Sequence, residues 1–175
     1  RYALALTREL QESCCADYDR YEFHRVVQAL QTFCSEDLGG FYLDILKDRL
    51  YASAASAPER RSAQTVLYRI AKALAAAAAP VLPFTAEEIW NELPGKKEES
   101  VHLARFDGLD DAVPDAAAAP WERLRRLREE AAVILEDARR NKVIGSSLEG
   151  AIALSDSEAL EADRYDELVA AEIIY

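Results

Sequence analysis

The sequence predicts a mainly α protein, a helical bundle followed by a small C-terminal β-α-β unit. Three observations carry that expectation. Apolar residues recur at intervals of three and four through the first half of the chain. Prolines and a glycine pair punctuate those periodic runs, and after "NKVIGSS" the period shortens towards alternation.

Each element is justified by its own residues. Leu6, Leu10, Cys14 and Tyr18 share one face of a helix over about 1–19. A second helix is expected over about 22–34, with Phe23, Val26, Val27, Leu30 and Phe33 inward. "SEDLGG" interrupts it; Ser35 and Asp37 are suited to capping the next helical segment, and Gly39-Gly40 to weakening or kinking the helix. The stretch "FYLDILKDRLY", 41–51, is a third helical segment ending in the small-residue loop "ASAASAP". A fourth helix is predicted over about 59–79, with Leu67, Ile70, Ala71 and Leu74 as its core face and Pro80 as its stop. In "FTAEEIWNELPG", Thr85 and Glu88 have the spacing of a capping box and Phe84 that of a staple onto Ile89. A polar connection with a short extended piece at Val101-His102-Leu103 leads to Pro120, which opens a long helix to about 141. "EGAIALS" and "EIIY" alternate like strands around a helical stretch at about 157–170. The expected organisation is a bundle over 1–95, a connecting loop over 96–119, and a long helix with the start of a second domain over 120–175.

Composition narrows the function. With 175 residues, half of them hydrophobic, the chain can bury a real core. No apolar run approaches the ~20 residues a membrane span needs. Three cysteines, Cys14, Cys15 and Cys34, fit neither a zinc spacing nor a disulfide framework and read as reduced, mostly buried thiols of a cytoplasmic protein. There is no methionine and the first residue is Arg1, so we expect a piece of a longer chain. His24 and His102 are far apart, and neither a glycine-rich phosphate loop nor a nucleophile elbow is present, which leaves no catalytic constellation. His24, beside Phe23, reads as an interior histidine.

The net charge of −11 argues against contact with a polyanion, yet the acids are unevenly spread. Between Glu59 and Glu87 there is no acid, while Arg60, Arg61, Arg69 and Lys72 are present. Arg61, Thr65, Tyr68 and Lys72 fall on one stripe of the fourth helix, opposite its expected core face. Cations around a tyrosine suit a nucleic-acid backbone with an exposed base, although a solvated face has the same composition. Arg123, Arg125, Arg126 and Arg128 form a second cluster, offset by neighbouring glutamates. Arg49 lands among Tyr42, Ile45 and Leu46, where a cation calls for a carboxylate partner; Lys47, on the opposite arc, is the better phosphate contact.

"YEFHRVVQALQTFCSEDLGGFYLDILKDRLY", "RRSAQTVLYRIAKAL", "APVLPFTAEEIW", "LPG", "ESVHLA" and "IGSSLEGAIAL" together resemble the bacterial-type isoleucyl-tRNA synthetases. The resemblance runs in order through nearly the whole chain and falls on the region after the catalytic domain, the class I anticodon-binding bundle and the start of its C-terminal junction. It implies a parent enzyme that activates isoleucine with ATP and magnesium, in many members with zinc as well, and transfers it to isoleucine tRNA. The family's His-Ile-Gly-His and Lys-Met-Ser-Lys-Ser signatures are absent here, so this piece is expected to be non-catalytic and to hold no cofactor. Its partners would be isoleucine tRNA and the remaining domains of the parent chain. The candidate tRNA contacts are Lys47, Arg60, Arg61, Tyr68, Lys72 and Arg125. Gly39-Gly40 stands where relatives carry bulkier residues or serine. A bundle that only packs on the catalytic domain is the competing reading.

Overall fold

A computed structural model describes residues 2–95, 98–106, 119–146 and 150, with the side chains of 119, 120 and 122–124 excepted. The chain divides into two compact units, Arg1–Ala117 and Ala118–Tyr175. The first contains α1 (Tyr2–Asp19), α2 (Phe23–Thr32), a π-helical segment (Phe33–Tyr42), α3 (Leu43–Ile45), α4 (Lys47–Tyr51), α5 (Pro58–Ala78), α6 (Pro83–Glu92) and a 3₁₀ turn (Val101–Leu103). The second contributes α7 (Ala119–Arg140). The described residues are mainly helical, as the periodicity requires. The expected β-α-β unit lies outside them. Among them no helix is long and apolar enough to cross a membrane.

The main core gathers Leu4, Leu10 and Cys14 of α1, Val26 and Leu30 of α2, Phe33 and Leu38 of the π segment, and Ile70 and Ala77 of α5. Apolar burial on this scale is the main stabilising term, at about 25 cal/mol per Å² removed from water. Two residues expected inward on α2 are not there: Phe23 and Val27 are 43% and 47% exposed. His24 is also exposed rather than interior, and of the three cysteines expected to be mostly buried only Cys14 is, Cys15 and Cys34 being exposed. The α2 helix is amphipathic with a narrow stripe, so Val26 and Leu30 fill its contact and leave the 23/27 edge outside.

A second core is smaller. Trp90 is fully buried against Ala75, Ala79, Ala86 and Val101. Its indole Nε1–H donates to the Glu98 carbonyl at 2.9 Å, while the Glu87 carboxylate accepts from Ser100 Oγ and from the Val101 N–H, both at 2.9 Å. These bonds wrap residues 98–103 onto α6, and the expected extended piece at 101–103 is instead a 3₁₀ turn, capped by Ser100. The expected capping box does not form either. Helix α6 starts at Pro83, whose fixed φ suits a first helical position, so Thr85 sits inside the helix and Phe84 is 85% exposed rather than stapled to Ile89.

The Gly39-Gly40 stretch does not break the helix; it lies in ten residues of π-helix, Phe33–Tyr42. An α-helix would set Phe33 and Leu38 about 140° apart. The wider turn brings both into one core. A Cβ on Gly39 would meet the Cys34 carbonyl oxygen at 3.0 Å, and one on Gly40 the Ser35 oxygen at 3.4 Å. Ser35 does not cap forwards; its hydroxyl donates back to the Gln31 carbonyl at 2.9 Å, drawing that oxygen out of the helical ladder.

Two measurements test this packing. Gly39→Ala should lower stability by about 1–3 kcal/mol, because its methyl meets backbone rather than a flexible side chain. In an ordinary α-helix the same change would raise stability by up to about 1 kcal/mol, so the sign of the melting-temperature shift separates the two geometries. The second test is alkaline. Burial pushes the Cys14 thiol up to about 11 and the Tyr18 phenol up to about 12, with Cys15 adding to both. The folded state favours their neutral forms, so stability should be level below about pH 9 and fall as pH rises towards about 12. Cys14→Ala should flatten the lower part of that fall in denaturant titrations.

Candidate nucleic-acid interface

The cations foreseen from the sequence do not form one surface. Helix α5 begins with Pro58 at its first turn, and Arg60 and Arg61 come directly after it. Helix α4 packs on α5 through the short loop 52–57, which brings Lys47 and Arg49 to the same end of the bundle. Lys47 is not free there: its ammonium lies 2.7 Å from Asp44 Oδ1 in an exposed pair. Such pairs contribute roughly 0–1 kcal/mol, so a phosphate can compete for the lysine.

Arg49 reverses the expected roles. It is half-buried beside Tyr42, and among the described residues no carboxylate pairs with it. Burial raises the Tyr42 phenol pKa, and the nearby guanidinium opposes that rise. Leu46 separates α3 from α4 with ψ near −8°, yet Arg49 keeps the expected place beside Tyr42; the expected carboxylate partner is what does not appear among the described residues. A half-buried arginine can keep its head in water while its stem is covered, so it needs no internal acid.

Arg60 is half-buried and largely committed. Its Nη1 donates to the Ser53 carbonyl at 2.9 Å, tethering the 52–57 loop, and its Nε is buried without a hydrogen-bond partner. Arg61 is exposed, has no acidic partner among the described residues, and is fixed by backbone bonds: its N–H donates to the Ala57 carbonyl, and its own carbonyl accepts from Thr65 Oγ1.

The rest of the stripe is partly covered. Ala75 and Ala79 lie on the same side of α5 as Tyr68 and Lys72, and α6 packs there through Trp90. Lys72 Nζ sits 5.6 Å from the Trp90 ring centroid in a cation–π contact. Tyr68 is half-buried, with its hydroxyl 3.8 Å from where a Gly95 Cβ would stand. The apolar pattern showed one core face on α5, opposite the stripe; the alanines that admit α6 carry no such signal. Arg69, by contrast, is exposed.

Arg125 belongs to the second unit, where it is half-buried and 3.9 Å from Glu129 one turn on, the pairing its sequence neighbours imply. Among the described residues no group of three or more His, Cys, Asp or Glu could hold a metal ion. Chemically, the α4–α5 end offers guanidinium donors from a rigid helix start and a phenol beside them. Guanidinium groups of this kind are suited to hydrogen-bonding oxyanions.

Comparison with known proteins places the chain in a family. A family model described as the anticodon-binding domain of tRNA ligase matches residues 1–154. The isoleucine–tRNA ligase of Dechloromonas aromatica (strain RCB) is 52% identical over 155 residues, covering 88% of this chain and 17% of that protein. Those of Azoarcus sp. (strain BH72) and Halorhodospira halophila (strain DSM 244 / SL1) are 50% and 49% identical, covering 94% and 91% of this chain. The chain thus spans 17% of the length of each of these three relatives. The match through the bundle and the identity of about half the residues give one assignment: the chain belongs to the anticodon-binding domain family of tRNA ligases.

Proposed function

We propose that this chain is the anticodon-binding part of a cytoplasmic isoleucine–tRNA ligase. In this reading it holds isoleucine tRNA while the remaining domains of a longer protein carry out ATP-dependent aminoacylation. The observation that carries the proposal is the identity of about half the residues with isoleucine–tRNA ligases along nearly the whole chain. The α4–α5 end supplies the means. Arg61 and Arg49 donate to phosphate oxygens, and Lys47 joins them by exchanging Asp44 for a phosphate. Arg60 holds the loop between the two helices in place. Tyr68 and Lys72 flank this contact from their half-covered positions, and Arg125 is a separate contact carried by the second unit. In the same reading ATP, magnesium and, in many relatives, zinc are used by the remaining domains of the longer protein.

A second reading is a bundle that packs on the catalytic domain without touching RNA. The exposed Leu82, Phe84 and Leu103 favour it, since each is an apolar side chain with more than half its surface in water. The two readings part on salt dependence. Binding of an isoleucine tRNA transcript to the 175-residue chain should weaken steeply between 50 and 200 mM salt, because phosphate contacts release counterions. Arg61→Glu and Arg49→Glu should each weaken binding and lower the slope of log K against log salt by about 1. Unchanged binding in both variants would remove the α4–α5 assignment, and absence of binding by the unaltered chain at low salt would leave the packing role.

A further inference from the structure

We infer that Tyr21, backed by Phe23, is a stacking shelf for one unpaired base of the bound RNA, an inference that rests on the RNA-binding reading above. Helix α1 ends in a two-bond turn: the Tyr21 N–H donates to the Tyr18 carbonyl at 3.0 Å and the Glu22 N–H to the Asp17 carbonyl at 2.8 Å. That turn places Tyr21 at φ 59°, the left-handed position that glycine or asparagine fills with least strain. A tyrosine there bears backbone strain and a ring that is 81% exposed. Neither helps the fold, and strain of this kind is concentrated at functional positions.

The ring is nevertheless held in place. Tyr21 meets Phe23 edge-on at 6.0 Å and 80°, and Phe23 meets Tyr18 at 5.9 Å and 60°. The Tyr18 hydroxyl donates to the Ala77 carbonyl at 2.7 Å, rooting the ladder in α5. An edge-to-face contact occupies at most one face of Tyr21, which leaves another open to a flat partner. The surrounding charges indicate a base rather than a phosphate at this point. Arg25 lies 2.9 Å from Glu22 and Arg20 lies 3.9 Å from Asp17, while Asp19 and His24 are exposed. Asp17, Asp19 and Glu22 outnumber Arg20 and Arg25, and Glu9 and Asp37 also line the neighbouring groove, so charge gives no attraction here and stacking must supply it. Arg20 and Arg25 also line an open groove of about 610 Å³ with Ser13, Asp17 and Gln28, whose polar groups can meet a ribose or a base edge. Every base has a π-face, so the shelf accepts whichever loop base reaches it.

The test uses the anticodon stem-loop RNA of isoleucine tRNA, with 2-aminopurine replacing one loop purine at a time. It is titrated against the unaltered chain, Tyr21→Asn and Tyr21→Phe. Asparagine suits the left-handed position, so Tyr21→Asn should melt no lower than the unaltered chain. One probe position should be quenched on binding to the unaltered chain and to Tyr21→Phe. Tyr21→Asn should lose that quenching and bind roughly 5- to 150-fold more weakly, with an unchanged salt slope. Equal affinity and equal quenching in Tyr21→Asn would overturn the shelf while leaving RNA binding intact. Failure of the unaltered chain to bind the stem-loop at low salt would overturn both.

Discussion

The constraint on which this bundle depends is that α5 must be packed on two sides at once. Ile70 and Ala77 face the main core, while Ala75 and Ala79 lie on the far side against Trp90. At about 100° per residue these two sets sit roughly 140–180° apart, so no amphipathic stripe of the usual kind can serve both. Alanine solves the problem because it lets neighbouring backbones approach closely and has the best helix propensity of any residue. A larger side chain at 75 or 79 would lift α6 and take Trp90 out of its site; loss of a buried tryptophan contact of this size is worth about 3–5 kcal/mol.

That double packing decides where charge can be presented. The C-terminal half of α5 is enclosed by α1 on one side and α6 on the other, so Lys72 ends over an indole ring rather than in open solvent. The N-terminal turns escape, and there Arg61 projects into solvent while α4 brings Lys47 and Arg49 alongside. A protein with a net charge of −11 thereby gathers four cations at one end, among the local carboxylates of Asp44, Asp48 and Glu59. In the proposed reading RNA meets this limited patch, and acids farther away are screened within about 10 Å at moderate salt.

Helix existence was legible in the sequence wherever burial is one-sided. The periodic apolar residues of α1 and the punctuation by Pro58 and Pro94-Gly95 located their elements directly. What escaped has a common cause in backbone geometry that no side-chain period encodes. The glycine pair suggested a weakened or kinked helix where the segment is π-helical, and the wheel that put Arg49 beside Tyr42 could not tell that no carboxylate would meet it among the described residues. The cover over Tyr68 and Lys72 escaped because alanines belong to any surface. Tyr21 escaped because the left-handed helix ending carries no glycine to announce it. The cationic residues themselves were readable from their separation from acids, and which of them stay exposed was a question only packing could answer.

The two unusual backbone features bear on how the domain could hold RNA rigidly. The π-helical segment leads into α3 and α4 and so sets the heading of Arg49; the strained turn after α1 sets the heading of Tyr21. Arg61 and Ala77, which marks the root of the aromatic ladder, are sixteen positions apart on α5, about 24 Å at 1.5 Å per residue. Both headings are referenced to this one helix, through α4 at its start and through Tyr18 near its end. A long, doubly packed helix is stiff, so in the proposed reading a phosphate contact and a base contact built at its two ends would keep a fixed separation. Pre-set spacing of this kind reduces the ordering cost of binding, and it would make the strained turn at Tyr21 a means of fixing geometry rather than a defect of folding.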